Sequence, residues 1–417
     1  MSTGEATAAA PAAPMTFRDV LRIDVMRRVW YAQVVSLFGD FLALFAVLAV
    51  VSFTMHGTPN QVTGVQIAYM LPMVFVGPVA GVFVDRWPLK PTLVASDLIR
   101  AALAMLLIPA TAVWQVYLVL AALSCVSAFF GPAQQVTIRT SVPANGLMSA
   151  NALMQIAFMA MRVVGPAIAG TVAATFGPGT CYAIDVLSFV ISAALIGSVV
   201  IRRPPAVAPA GQGPSSNRIH AIRRDMVQGV NFIFHHAAVL FVVLAMAAGL
   251  FTIGCFGPLI AIYVRDTLHA DAGLFGIVSA SIGVGLLIGT QVIRRLASRF
   301  SSDALVLSGL AGIGAGVFLL GAVPLSAAAL AATLIIGFAF AAIMVPAQTL
   351  VQRETPPEMI GRVSSTNISV AFFAQVVGLV LSGVLADFLG VRTVFFLCAA
   401  LAVSMAVGGR ALLQSTR

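Results

Sequence analysis

The sequence predicts an all-α polytopic membrane protein of twelve transmembrane helices, arranged as two six-helix, pseudo-symmetric halves. Three observations predict it. Of 417 residues, 60% are hydrophobic and 9% charged, with a mean hydropathy of +1.03. A soluble chain carries about 25% charged residues, and so few charges cannot cover a folded surface of this size. Apolar runs of about 20 residues recur along the whole chain, each long enough to cross a bilayer. Finally, the second half of the chain repeats marks of the first at a nearly constant offset. Disorder is excluded by the same composition, and a membrane β-barrel by the lack of alternating segments of ~10 residues.

The elements follow in order. Residues 1–29 form a tail rich in Ala and Pro, ending in a short interfacial helix with Phe17, Val20, Leu21 and Ile23 on its apolar side. The tail has no apolar core followed by a cleavage site, so no cleavable leader is expected. Runs bounded by Gly, Pro and charge place the first six spans at 30–54, 64–86, 92–112, 114–138, 151–176 and 179–201. The next six lie at 238–264, 271–296, 303–323, 325–351, 364–388 and 391–413. The domain division is therefore a tail over 1–29, a first half over 30–201, a linker over 202–237 and a second half over 238–414. Residues 202–218 are rich in Pro, Ala, Gly and Ser, which is linker composition. A helix near 219–236 follows, expected to lie along the membrane surface. His220, His235 and His236 sit there, and adjacent His on a helix do not share a face, so interfacial histidine is favoured over a metal site.

Charge sets the orientation. The net charge is +9. With both termini inside, nineteen of the 23 Lys and Arg fall on the cytoplasmic side. Arg265 and Arg392 fall outside, and Arg100 and Arg162 lie within spans. That asymmetry is the positive-inside signal and predicts cytoplasmic N and C termini. No basic patch with interleaved aromatics occurs, so no nucleic acid partner is expected. Cys125, Cys181, Cys255 and Cys398 are far apart and show no metal-ligand spacing, so they read as small apolar filler. No cofactor is expected. There is no GxxxxGK[ST] nucleotide loop, and no HExxH or GxSxG motif, so the chain is read as no enzyme.

The repeat is specific. Pro132-Ala133-Gln134 recurs as Pro346-Ala347-Gln348, and Arg139 matches Arg353. Gly165, Gly170 and Gly177 match Gly378, Gly383 and Gly390. Gly77 and Gly81 match Gly285 and Gly289. Six spans repeated in one orientation make two parallel halves.

The stretch Gly77-Pro78-Val79-Ala80-Gly81-Val82-Phe83-Val84-Asp85-Arg86-Trp87-Pro88-Leu89-Lys90 resembles the signature between helices 2 and 3 of the major facilitator superfamily, G-x-x-x-D-R-x-G-R-[RK]. Gly81, Asp85, Arg86 and Lys90 match, while Pro88 and Leu89 depart from it. Ser36-Leu37-Phe38-Gly39-Asp40, Phe130-Gly131-Pro132-Ala133, Gly165-Pro166-Ala167-Ile168-Ala169-Gly170 and Asp185-Val186-Leu187-Ser188-Phe189 are similar to the branch that holds macrolide-type drug exporters and the enterobactin exporter. The resemblance spans essentially the whole chain. It implies the major facilitator fold, a multi-pass protein of a bacterial inner membrane working as a monomer, and drug:proton antiport.

The resemblance also implies site roles. Gly77 and Gly81 let span 2 approach a neighbouring helix. Asp85, with Arg86 and Lys90, forms a conformational latch against the positive N-terminus of helix 11 near Ser364–Asn367; loop charges that only set topology are the alternative. Gly165, Pro166 and Gly170 resemble an antiporter motif, in which Pro166 frees the Arg162 carbonyl and can kink the helix; a kink without antiport is the alternative. In this fold spans 1, 4, 7 and 10 line the cavity, which nominates Gln33, Ser36, Gln134, Gln135, Tyr263, Gln348 and Gln352.

Ionisable residues at mid-membrane cost about 2.5–3.5 kcal/mol each and so need a reason. Asp40 is the candidate for proton coupling or substrate contact, with a structural ion pair to Arg162 as the alternative. Asp185 reads as a helix-packing or outer-gate residue, and Asp97 with Arg100, one turn apart, as a local pair. With no nucleotide-binding motif, energy must come from an ion gradient. The function expected is proton-coupled export of small amphipathic compounds or drugs, of the kind that gives multidrug resistance. A dedicated siderophore exporter or lysophospholipid flippase is the alternative, and a non-transporting sensor or scaffold the alternative of another class.

Overall fold

A computed structural model describes residues 13–84, 86–201, 228, 231–356 and 359–415. Among these, a short helix (Phe17–Arg22) precedes twelve long ones, and there is no strand. The long helices are α1 (Asp24–Ala49), α2 (Pro59–Val84), α3 (Leu89–Met105), α4 (Val113–Ser141), α5 (Leu147–Phe176) and α6 (Pro178–Gly197). They continue with α7 (Ala237–Ile262), α8 (Ala272–Leu296), α9 (Ser302–Ala322), α10 (Ser326–Glu354), α11 (Ile360–Leu389) and α12 (Val391–Ser415). Ten of them, α1 and α4 to α12, are long and apolar enough to cross a membrane. Helices α2 and α3 complete the bundle, packed on α4, α6 and α11. The end of the bundle where α1 begins and α12 ends is called here the terminal face, and the opposite end the far face.

Two ends depart most from expectation. Helix α1 starts at Asp24, where the sequence predicts position 30, because the chain is extended only at Ile23 (φ −73°, ψ 114°). Thr16 caps the short helix before it through the Asp19 amide. Helix α3 stops at Met105, well before 112. Pro109 lacks the donor a helix needs and biases Ile108 away from helical geometry, so the chain leaves through turns at Leu106 to Ile108. Most of the 202–237 linker, with His220 and the start of the expected surface helix, lies outside the described residues. Its end is helical over 231–235, where His235 hydrogen-bonds the Asn231 carbonyl and His236 stacks on Phe232.

The repeat persists in backbone detail. Helices α1 and α7 both end in a wider, π-type turn, at Val50–Thr54 and Tyr263–Thr267. The chain then turns at His56 and His269, each with φ 50°. Gly177 and Gly390, each with φ 82°, join α5 to α6 and α11 to α12. That left-handed region is open to glycine at no steric cost. Packing repeats as well: α1 on α6 corresponds to α7 on α12, and α2 on α4 to α8 on α10. Between the two groups of six, α5 packs on α8 and α2 on α11.

Candidate functional site

A buried charge cluster sits where α1, α3 and α6 meet. Its centre is Arg100 on α3, whose side chain is 4% exposed. One turn earlier on the same helix, Asp97 accepts a hydrogen bond from the Arg100 guanidinium, and its other oxygen accepts one from Ser192 of α6 at 2.6 Å. The guanidinium carbon lies 4.4 Å from the ring centres of both Phe130 and Phe189. Each such contact contributes about 0.5–2 kcal/mol. On its remaining side Arg100 faces Asp40 of α1 at 3.9 Å. Asp185 of α6 packs against the same stretch of α1: a Cβ on Gly39 would stand 2.6 Å from its Oδ1. That oxygen has no hydrogen-bond partner among the described residues.

Asp40 is the member that reaches open space, with its side chain 28% exposed. It lines a cavity of about 290 Å³ with Leu37, Phe41, Leu44, Gln66, Tyr69, Met70, Phe158 and Arg162. A second cavity of about 210 Å³ shares Phe41, Leu44, Gln66 and Arg162 and runs between the two groups of helices to Ile253, Phe256, Gly257, Ile260 and Phe340. The wall is mostly apolar with a few polar anchors, the form of a small-molecule site. A third cavity of about 270 Å³ lies nearer the terminal face, lined by Gln348, Gln352, Ser364 and Asn367. Among the described residues no group of three His, Cys, Asp or Glu could hold a metal ion.

The far face is closed by contacts between the two groups. Helices α5 and α8 cross at Gly170 and Gly276, where a Cβ on Gly276 would lie 2.6 Å from the Pro166 carbonyl and 2.8 Å from the Gly170 Cα. Small residues permit this approach, and α5 runs unbroken through Pro166. Gly165 packs on Phe41 of α1. Arg265, at the end of α7, donates to the Ser52 and Gly57 carbonyls beyond α1. The Asn60 amide in the first turn of α2 donates to Asp387 near the end of α11 at 3.4 Å. A carboxylate there meets the positive end of the α2 dipole.

The structure corrects several expected positions. Asp40 is placed on Arg100 rather than Arg162, although Arg162 lines the same cavity. Asp185 is buried at the α1–α6 contact, so packing is its observed setting. Gly77 and Gly81 meet no atom within 4 Å of a built Cβ, because α2 touches α11 at its opposite end, around Asn60, Thr63 and Gly383. Asp85 lies outside the described residues, Arg86 is exposed on the loop, and Lys90 opens α3. Among the cavity candidates, Gln348 and Gln352 line a cavity, and Gln134 hydrogen-bonds Gln33 between α4 and α1. Gln135 is exposed. Ser36 is buried in helix packing. Tyr263 is buried against Phe395, its hydroxyl 3.4 Å from the Val323 carbonyl, and lines none of the three cavities. Gln66 and Tyr69, which line the Asp40 cavity, were not expected; their i,i+3 spacing inside an apolar span is the signal that could have marked them.

The family pattern described as "Transmembrane secretion effector" matches residues 15–416. The "Uncharacterized MFS-type transporter YfiS" of Bacillus subtilis is 28% identical over 389 residues, covering 89% of each chain. "Macrolide efflux protein A" of Streptococcus pyogenes is 26% identical over 389 residues, covering 91% of this chain and 93% of that one. Among solved structures, a bacterial homologue of the human lysosomal transporter Spinster superposes with a TM-score of 0.72 at 11% identity, covering 94% of this chain and 97% of that one.

Proposed function

Because the chain belongs to the transmembrane secretion effector family of the major facilitator superfamily, we propose that it exports small amphipathic compounds across a bacterial inner membrane in exchange for protons, by alternating access. The terminal face is then cytoplasmic, as the Lys and Arg asymmetry favours, and one chain is the working unit. The family is one of transporters, not enzymes.

One observation carries the reading. Asp40 has one side on the cavity and the other on Arg100. A compound in the cavity and a proton on Asp40 are therefore coupled at one place. When Asp40 is ionised it is drawn to Arg100 and ties α1 to α3. When it takes a proton the tie is released and α1 can move with the far-face contacts. The far-face contacts of Gly170, Gly276 and Arg265 support an inward-open state, with the cavity reached from the cytoplasm. Rocking of the two groups about the cavity then opens the other side.

The test is accumulation of a lipophilic fluorescent dye panel in cells stripped of their own exporters. Cells making the protein should retain less dye, and a proton uncoupler should remove the difference. Equal accumulation across the panel, with the protein shown to be folded and in the membrane, would overturn the reading.

A further inference from the structure

We infer that Arg162 is the anchor for an anionic group, a carboxylate or a phosphate, on an otherwise lipophilic exported compound. The inference rests on the exporter reading and narrows its substrate class. Arg162 lies near the middle of α5 and lines both parts of the central cavity. Asp40, the other charged residue of that lining, faces Arg100 at 3.9 Å. Arg162 has no carboxylate within ion-pair distance and no hydrogen-bond acceptor among the described residues.

A guanidinium in the middle of a membrane-spanning helix is expensive unless it is paired or faces an aqueous cavity that a ligand can enter. Arg100 follows the first course, paired with Asp97 on its own helix. Arg162 follows the second. Its planar fork of donors matches the two oxygens of a carboxylate or phosphate. The surrounding surface is aromatic and aliphatic. Phe41 and Phe158 meet edge-on at 5.8 Å beside it, and Phe256, Ile260 and Phe340 form the opposite wall. A lipophilic body fits that wall while its acidic head meets Arg162. Gln66 and Tyr69 supply neutral polar partners near the head. A permanently cationic compound gains nothing from this arrangement, since Asp40, the one acid on that lining among the described residues, is already beside a guanidinium.

The test uses three probes with one body: dansylaminoundecanoic acid, its methyl ester and a trimethylammonium analogue. Binding is read by fluorescence to the full chain in nanodiscs, for the parent, Arg162→Gln and Arg162→Lys. The parent should prefer the acid over both others by about tenfold, the scale of one charge-assisted bidentate contact. Arg162→Gln should lose that preference while its affinity for the ester stays unchanged. Equal binding of acid and ester by the parent, or a preference that survives Arg162→Gln, would overturn the inference. If Arg162→Gln binds no probe, Arg162→Lys decides: a retained preference supports the anchor, and ester binding without preference refutes it. Displacement by lysophosphatidic acid alone would put the anion on a lipid headgroup, and displacement by dodecanoate as well would put it on a free carboxylate. Displacement by neither would refute the site. Flux is measured separately in proteoliposomes. Acid-selective binding without flux retires the exporter reading and keeps the anchor. Equal flux of all three probes by parent and Arg162→Gln does the reverse.

Discussion

The Arg100 guanidinium stands 3.9 Å from the Asp40 carboxylate while it holds Asp97 from the same helix. Two acids on two helices thus share one base, which is clamped between Phe130 and Phe189. Only Asp40 reaches the cavity, so a change at the cavity is felt at the centre of the first six helices.

Removing Arg100 strands that centre. Arg100→Leu should destabilise the protein by about 3–5 kcal/mol, because Asp97 keeps a buried charge without its partner. Arg100→Lys should lose less, since the charge stays while the fork and ring stacking are lost. Thermal unfolding in detergent checks both. Equal stability of Arg100→Leu and the parent would remove Arg100 from its central role.

The α5–α8 crossing has no room for a side chain. Gly276→Val should cost about 1–3 kcal/mol by overpacking and stop the far face from closing, so transport falls while the protein still inserts. Gly77→Ala, which meets open space here, should leave stability unchanged. Dye export and thermal unfolding of the two variants test the contrast.

Arg265 fastens one group of helices to the other through the Ser52 and Gly57 carbonyls. Arg265→Gln should raise the share of molecules open at the far face. Spin labels at Thr58→Cys and Phe388→Cys, with the four native cysteines replaced, report this as a longer distance population. An unchanged distance distribution would show that the contact does not hold the gate.

Outside the membrane-spanning segments, the Thr16 hydroxyl and amide hold the Asp19 carboxyl below the ordinary carboxylate value. A depressed value means that the stabilisation exists above the unfolded-state value and is lost as pH falls through the folded one. Protection of the Phe17–Arg22 amides from exchange, taken relative to the intrinsic rate at each pH, should therefore fall on acidification below about pH 4, and Thr16→Ala should remove most of that pH dependence.

The fold was largely legible in the sequence, since Gly, Pro and charge mark helix ends by local chemistry. Gly177 and Gly390 show how far this reaches: their matched spacing becomes a matched φ of 82°. The matched turns at His56 and His269 carry a weaker mark, because histidine is enriched in the left-handed region but is not required there as glycine often is. The site was less legible. Asp97 and Arg100 pair at i,i+3, which hid the contact of Arg100 with Asp40, sixty residues away on another helix. Ser36 and Tyr263 sit on cavity-lining helices but are buried in packing, and near-uniform hydropathy does not tell one position of such a helix from another. Arg265 counted only as a charge on the far side until its acceptors could be seen.

The most direct measurement is proton movement in inverted vesicles carrying the protein, followed with a pH-gradient dye while lipophilic compounds are added, for the parent beside Asp40→Asn. The account predicts that an exported compound collapses part of the gradient in the parent and leaves it intact in Asp40→Asn. Equal collapse in both would contradict it, and would reduce Asp40 to a structural partner of Arg100.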